Sequence, residues 1–279
     1  MTAYLLALGS AVFYGAADFT GGIVTRRTAA IPVVVLSQTS GLVFVALILL
    51  LIPSAAPRAA DLWWGAAAGL MGGVGVGLLY HALATGTMSV VAPTTAVAAV
   101  AIPVVTSIAL GERPGGLAVA GILLGIASIL LVSRQTATRV EARRSGLGVA
   151  LISGIAGGLF LLALAQTLKE SGLWPLLASR LTSVTLFVAI AAVGRRSLRM
   201  PPRLAALAAG GGAIDMLANA LYLLAAQIGP LSPVVTLCSL YPASTILLAR
   251  ALLGERLNAW QTAGVVSALI AVALIVGGG

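Results

Sequence analysis

Long apolar runs, each ended by a short polar or glycine- and proline-containing break, follow one another along the whole 279-residue chain. An α-helix rises 1.5 Å per residue, so about 20 residues are needed to cross roughly 30 Å of hydrocarbon. Ten segments meet this requirement, at about 3–24, 31–52, 62–84, 88–110, 115–133, 146–168, 173–194, 203–226, 231–252 and 260–277. The pattern therefore predicts an all-α integral membrane protein with ten transmembrane helices.

The composition supports the same class. Apolar residues make up 60% of the chain and charged residues only 8%, whereas a soluble domain carries roughly 25% charged residues. Water-soluble folding is excluded because too little polar surface is available to cover so large an apolar core. We expect a multi-pass protein of the cell inner (plasma) membrane, with the lipid bilayer as its main surroundings.

The charge is small but strongly basic. Sixteen basic residues stand against seven acidic ones, which gives a net charge of +9. Most arginines lie in short clusters between apolar runs, without interleaved aromatic residues, so they indicate lipid headgroups and the positive-inside bias rather than nucleic acid. The loops after odd-numbered spans hold most of these arginines, which favours both termini outside the cell.

The chain repeats itself after 143 residues, with one slip at 79–80, which matches 221–222 at a shift of 142. The longest polar stretch, 134–145, separates two segments, residues 1–136 and 146–279, which we interpret as homologous five-helix repeats. Identical residues recur at the shift of 143, including Ser10 and Ser153, Gly15 and Gly158, Pro32 and Pro175, Phe44 and Phe187, and Gly69 and Gly212. Five helices per repeat is an odd number, so the second repeat enters the membrane inverted, an arrangement common in secondary transporters.

A Gly-Glu-Arg sequence follows the fourth predicted helix of each repeat, at 111–113 and 254–256, and a glycine follows each glutamate after nine residues. Together with Arg180 in a second helix and Pro242 before the second Gly-Glu-Arg, these features resemble the EamA-type transporters of the drug/metabolite transporter superfamily. The residue of the first repeat that corresponds to Arg180 is Ser37, so the first repeat lacks this arginine. The resemblance covers the whole chain and implies export of amino acids, other metabolites or drugs. It also implies cytoplasmic termini, contrary to the arginine distribution.

Polar side chains inside the predicted spans are the candidates for a site, because such groups are costly at membrane depth and usually face a cavity or a partner. Asp215, Asn219 and Tyr222 share one face of the eighth span, and Asp18 follows Tyr14 by one turn in the first. We expect Asp215 to contribute more than Asp18, since it lies nearer the middle of its span. The candidate substrate-binding residues are Tyr14, Asp18, His81, Asp215, Asn219 and Tyr222.

Each candidate also has a structural interpretation. Asp215 can belong to an interhelical hydrogen-bond cluster with Arg180, and Asp18 can meet water or Arg26 near the end of its span. Asp18, Arg180 and Asp215 are candidates for an ion pair or for coupling. His81 can relay protons or satisfy a helix interface. The glycines that precede it, Gly65, Gly69, Gly73 and Gly77, predict a close helix–helix packing surface.

The leading functional hypothesis is a secondary transporter that exports a small metabolite, with a proton as a candidate coupling ion and a monomer as the expected state. The candidate residues offer hydrogen-bond acceptors for an ammonium group, surrounded by small and apolar residues. This combination suits an amino acid better than a polyanion, but it does not distinguish an amino acid from a cationic drug. The sequence contains no nucleotide-binding motif. It has only one histidine and one cysteine, so we expect no metal site, no cofactor and no catalytic residue. An integral membrane enzyme and a passive channel are the alternatives.

Overall fold

The computed structural model describes residues 2–51, 56–109, 115–133, 140–228, 234, 237–254 and 259–277. These residues form ten α-helices and a short 3₁₀ helix, Lys169–Ser171, with no strand among them. The helices are α1 (Thr2–Thr25), α2 (Ala30–Leu51), α3 (Ala59–Thr85), α4 (Met88–Ala109), α5 (Gly116–Ser133), α6 (Val140–Ala165), α7 (Trp174–Val193), α8 (Pro202–Ile228), α9 (Tyr241–Leu253) and α10 (Ala259–Gly277).

Most helix limits lie within three residues of the predicted spans, and two starting points differ. Helix α6 begins at Val140, inside the predicted polar linker, because the linker's last residues lack glycine and proline and are mostly compatible with a helix. Helix α9 is delimited from Tyr241, with Pro242 in its first turn, where a missing N–H costs nothing. Within the predicted span before it, Val234, Leu237 and Cys238 are also helical, and Ser239 and Leu240 form a turn. Residues 229–233, 235 and 236, at the predicted start, lie outside the described residues.

Six helices are long and apolar enough to cross a membrane, namely α1, α2, α3, α7, α8 and the Gly146–Ala165 part of α6. Shorter apolar stretches were found at Val90–Ile102, Tyr241–Leu253 and Thr262–Leu274. The outer surface of the bundle is apolar: Leu50 and Leu51 are each 80% exposed. Hydrocarbon is the solvent that such a surface requires, so the chain is a multi-pass membrane protein.

The two halves of the chain are interleaved. Helix α3 packs on α6 and α7, and its counterpart in the second half, α8, packs on α1 and α2. The same hydrogen bond recurs at both contacts: Ser10 Oγ donates to the Ala218 carbonyl and Ser153 Oγ donates to the Gly75 carbonyl, each at 2.8 Å. Donors and acceptors are both 143 residues apart, so the repeat in the sequence is also a repeat in the packing.

The glycines of α3 form its contact with α7, as the sequence predicts. A Cβ atom at each glycine would press on one residue of α7, in the order Gly65 on Pro175, Gly69 on Ser179, Gly73 on Ser183, and Gly77 on Phe187. The numbers rise together, so α3 and α7 run parallel. In the equivalent contact, a Cβ at Gly212 of α8 would overlap the backbone of Ser37 on α2.

Two neighbouring glycines of α8 provide a test of this packing. Gly212→Ala is expected to lower the stability by about 1–3 kcal/mol, because the added methyl group has no room against the Ser37 backbone. Gly210→Ala is expected to be neutral or slightly stabilising, since nothing lies within 4 Å and alanine favours a helix. Thermal unfolding of the purified variants measures both. Equal melting temperatures would contradict the proposed close contact.

Candidate functional site

A cavity of about 160 Å³ lies between the two halves. Helices α1, α2, α3, α4, α6, α7 and α8 and residues just before and at the start of α9 contribute to its walls. Five of the six predicted substrate-binding residues line it: Tyr14, Asp18, Asp215, Asn219 and Tyr222. Arg180 also lines the cavity. The structure thus brings α1, α7 and α8 together at one polar site.

Arg180 on α7 is the centre of the polar network. Its Nη1 donates to Gln38 Oε1 on α2, and its Nη2 forms an ion pair with Asp215 Oδ2 on α8. Arg180 is only 7% exposed, and a guanidinium at such a depth needs several acceptors to offset its loss of water. The pairing of Arg180 with Asp215 joins α7 to α8 across the interior.

Asn219 extends this network to α1. It lies one turn after Asp215, and its Nδ2 donates to the Asp215 carbonyl at 2.8 Å and to Asp215 Oδ2 at 3.3 Å. Its Oδ1 accepts a hydrogen bond from Tyr14 Oη at 2.8 Å. One continuous chain of polar contacts therefore crosses four helices, α2, α7, α8 and α1. Such a satisfied network orients its members rigidly.

Asp18 is the exception within the cavity. It is 8% exposed and lies one helical turn after Tyr14. Across the part of the chain that the structure describes, no side chain or backbone N–H donates a hydrogen bond to its carboxylate. Asp215, the other carboxylate that lines the cavity, already has a cation in Arg180. Asp18 thus presents an acceptor to the cavity without a partner among the described residues.

His81, the sixth candidate, does not line this cavity. Its side chain is exposed, and its backbone carbonyl accepts a bond from Thr85 Oγ1 at 2.9 Å. The glycine spacing suggested otherwise, but each step of four residues advances a helix by about 40°. Four such steps from Gly65 turn His81 by roughly 160°, away from the buried face of α3.

Gln38 and Tyr241 are among the cavity residues that the sequence interpretation missed. Gln38 is buried on α2 and accepts a hydrogen bond from Arg180, and its place in a run of four polar residues, 37–40, within a long apolar span was an available signal. Tyr241 contacts the Tyr14 ring edge-on, with ring centres 6.2 Å apart and an interplanar angle of 60°. No group of three or more histidine, cysteine or acidic side chains suited to a metal ion occurs among the described residues.

The apolar exterior, the interleaved halves and the buried polar cavity define a multi-pass membrane protein with an interior site built by two related halves. The sequence pattern of the EamA-like transporter family matches residues 1–134 and again residues 144–277. The chain therefore belongs to the EamA-like transporter family. The two matches correspond to the two repeats of a membrane transporter of the drug/metabolite transporter superfamily. Members of this family are transporters and not enzymes.

Comparison with solved structures agrees on the fold. Fifteen solved chains match, and one of them, described as "Crystal structure of protein", superposes with a TM-score of 0.62 over 99% of this chain and 94% of its own length. Its sequence identity is 17%, so the likeness concerns the fold alone. No curated protein matches the chain.

Proposed function

We propose that the chain is a secondary transporter that exports a small metabolite across the inner (plasma) membrane, with an amino acid as the proposed substrate. Asp18 is the observation that carries the substrate class. A carboxylate that is 8% exposed, lines the cavity and has no hydrogen-bond donor among the described residues provides a place for a ligand ammonium group. Asp215 has a different role, because Arg180 and Asn219 already occupy its carboxylate.

The proposed transport mechanism is alternating access by two inverted five-helix repeats that together contain ten transmembrane helices. The parallel course of α3 and α7 supports the inversion. Consecutive membrane helices alternate in direction. If the two repeats had the same orientation, the third helix of one would therefore be antiparallel to the second helix of the other. It runs parallel to the second helix of an inverted repeat, as α3 does to α7. The cavity lies between the repeats, where such transporters bind their substrates.

Counterflow in proteoliposomes tests this function against its alternatives. Purified protein is reconstituted into vesicles loaded with an unlabelled amino acid, and entry of the labelled compound is followed with and without a pH gradient. We expect saturable uptake that is accelerated by the internal substrate, because one site is exposed alternately on each side. Unsaturable flux would indicate a channel, and chemical change of the labelled compound would indicate an enzyme; either result contradicts the proposal.

A further inference from the structure

The two walls of the cavity are related by the repeat but have opposite chemistry. Five of the polar cavity residues lie on α1 and α8, and we call them the polar wall: Tyr14, Asp18, Asp215, Asn219 and Tyr222. Helices α3 and α8 begin and end 143 residues apart, so this spacing defines the counterparts in the structure. The residues 143 positions away from each of the five also line the cavity, and we call them the apolar wall: Gly157, Leu161, Gly72, Val76 and Leu79. Every polar side chain of one wall thus has an apolar or absent side chain as its counterpart.

Most polar residues beside the apolar wall use their hydroxyl groups within the protein, as Ser183 does by donating to the Arg180 carbonyl at 3.1 Å. Ser153 donates its hydroxyl to the Gly75 carbonyl at 2.8 Å. The Thr95 hydroxyl lies 3.0 Å from the Val91 carbonyl and 3.3 Å from the Ala150 carbonyl. Both hydroxyl groups therefore use their single proton within the protein. This side of the cavity has little to offer a charged ligand group, and it is suited to hydrocarbon.

We propose that the apolar wall is a subsite for the apolar side chain of the substrate, whose charged head binds at the polar wall. This inference rests on the proposed transport function and narrows its substrate class to amphiphilic amino acids with a large apolar side chain. A small or polar amino acid would leave the apolar wall uncovered or would place polar groups against it without partners. The two repeats have thus diverged into a head site and a tail site.

Gly157 determines how much room the subsite offers. It is the counterpart of Tyr14, whose phenol fills the equivalent position on the polar wall. A Cβ atom at Gly157 would meet only the Ala99 Cβ, at 3.9 Å. A Cβ atom can therefore be added there in ordinary van der Waals contact, and because Gly157 and Ala99 both line the cavity, a side chain built on it is expected to occupy space that the substrate needs.

Counterflow of alanine, leucine and phenylalanine by Gly157→Leu tests the subsite. For the unaltered protein we expect kcat/KM to rise from alanine to phenylalanine. In Gly157→Leu the kcat/KM for phenylalanine is expected to fall about tenfold or more relative to that for alanine. A change of this size is typical when an apolar pocket loses room for a few methylene groups. Gly148→Leu is the matched control, since Gly148 lies on the same helix, is exposed, does not line the cavity and has nothing within 4 Å of its Cβ position.

The outcomes separate the subsite from the transport function. A selective loss for large side chains in Gly157→Leu, with Gly148→Leu unchanged, supports the subsite. Equal rates for all three amino acids, or an equal fall for all three in Gly157→Leu, overturn the subsite while leaving amino acid transport in place. Absence of saturable flux for every amino acid in the unaltered protein would overturn the proposed substrate itself, and the subsite with it.

Discussion

Arg180→Met is expected to destabilise the protein by about 3–5 kcal/mol, the usual effect of removing one partner of a buried ion pair. The change leaves the Asp215 carboxylate, on a side chain only 13% exposed, without its cation, and it leaves the Gln38 amide oxygen without its donor. We expect a lower melting temperature and a smaller yield of monodisperse protein in detergent. Thermal unfolding followed by size-exclusion chromatography measures both quantities.

A double variant shows whether the loss comes from the unpaired charge. Arg180→Met combined with Asp215→Asn removes both charges, and the new amide can keep the hydrogen bond with Asn219. The double variant is therefore expected to be more stable than Arg180→Met alone, because the two positions share one interaction and their effects do not add. If the double variant is no more stable than the single one, the ion pair does not contribute as proposed.

The helices could be predicted from the sequence because bilayer thickness fixes their length, and the repeat because its matched residues include proline and phenylalanine. The start of α9 was less accessible. The described residues of 231–240 include the helical Val234, Leu237 and Cys238, and hydropathy alone does not indicate the turn at Ser239 and Leu240 that separates them from α9. The start of α6 was missed because residues 140–145 are mostly polar, yet helix formation does not require apolar residues.

The site was predicted where neighbouring residues share one helix face. Asp215, Asn219 and Tyr222 follow the helical period, and all three line the cavity. What a single sequence does not give is how each helix is rotated against helices distant in the chain. Gln38 meets Arg180 across a contact between the two halves, and no local pattern in α2 indicates that contact. The exposed position of His81 was inaccessible for the same reason, since the turn of its glycine stripe around α3 matters only once the position of α7 is known.

Asp18→Asn is expected to reduce transport by roughly thirtyfold or more while leaving the melting temperature unchanged. Removing a buried charge that holds a ligand's opposite charge costs about 2–5 kcal/mol of binding. No described residue donates a hydrogen bond to the Asp18 carboxylate, so the native fold does not depend on its charge. Initial counterflow rates at low substrate concentration measure the first effect, and thermal unfolding of the same preparation measures the second.

Asp61 provides the matched control, because it is a second buried aspartate with the opposite surroundings. It lies outside the cavity, is 2% exposed, and accepts hydrogen bonds from the Leu168 N–H at 3.1 Å and the Ser171 hydroxyl at 2.5 Å. Asp61→Asn is expected to lower stability by about 1–3 kcal/mol, since an amide cannot accept at both positions, and to leave the KM of the remaining folded protein unchanged. If Asp18→Asn instead loses stability and keeps its transport rate, Asp18 is a structural residue and the proposed ammonium site is wrong.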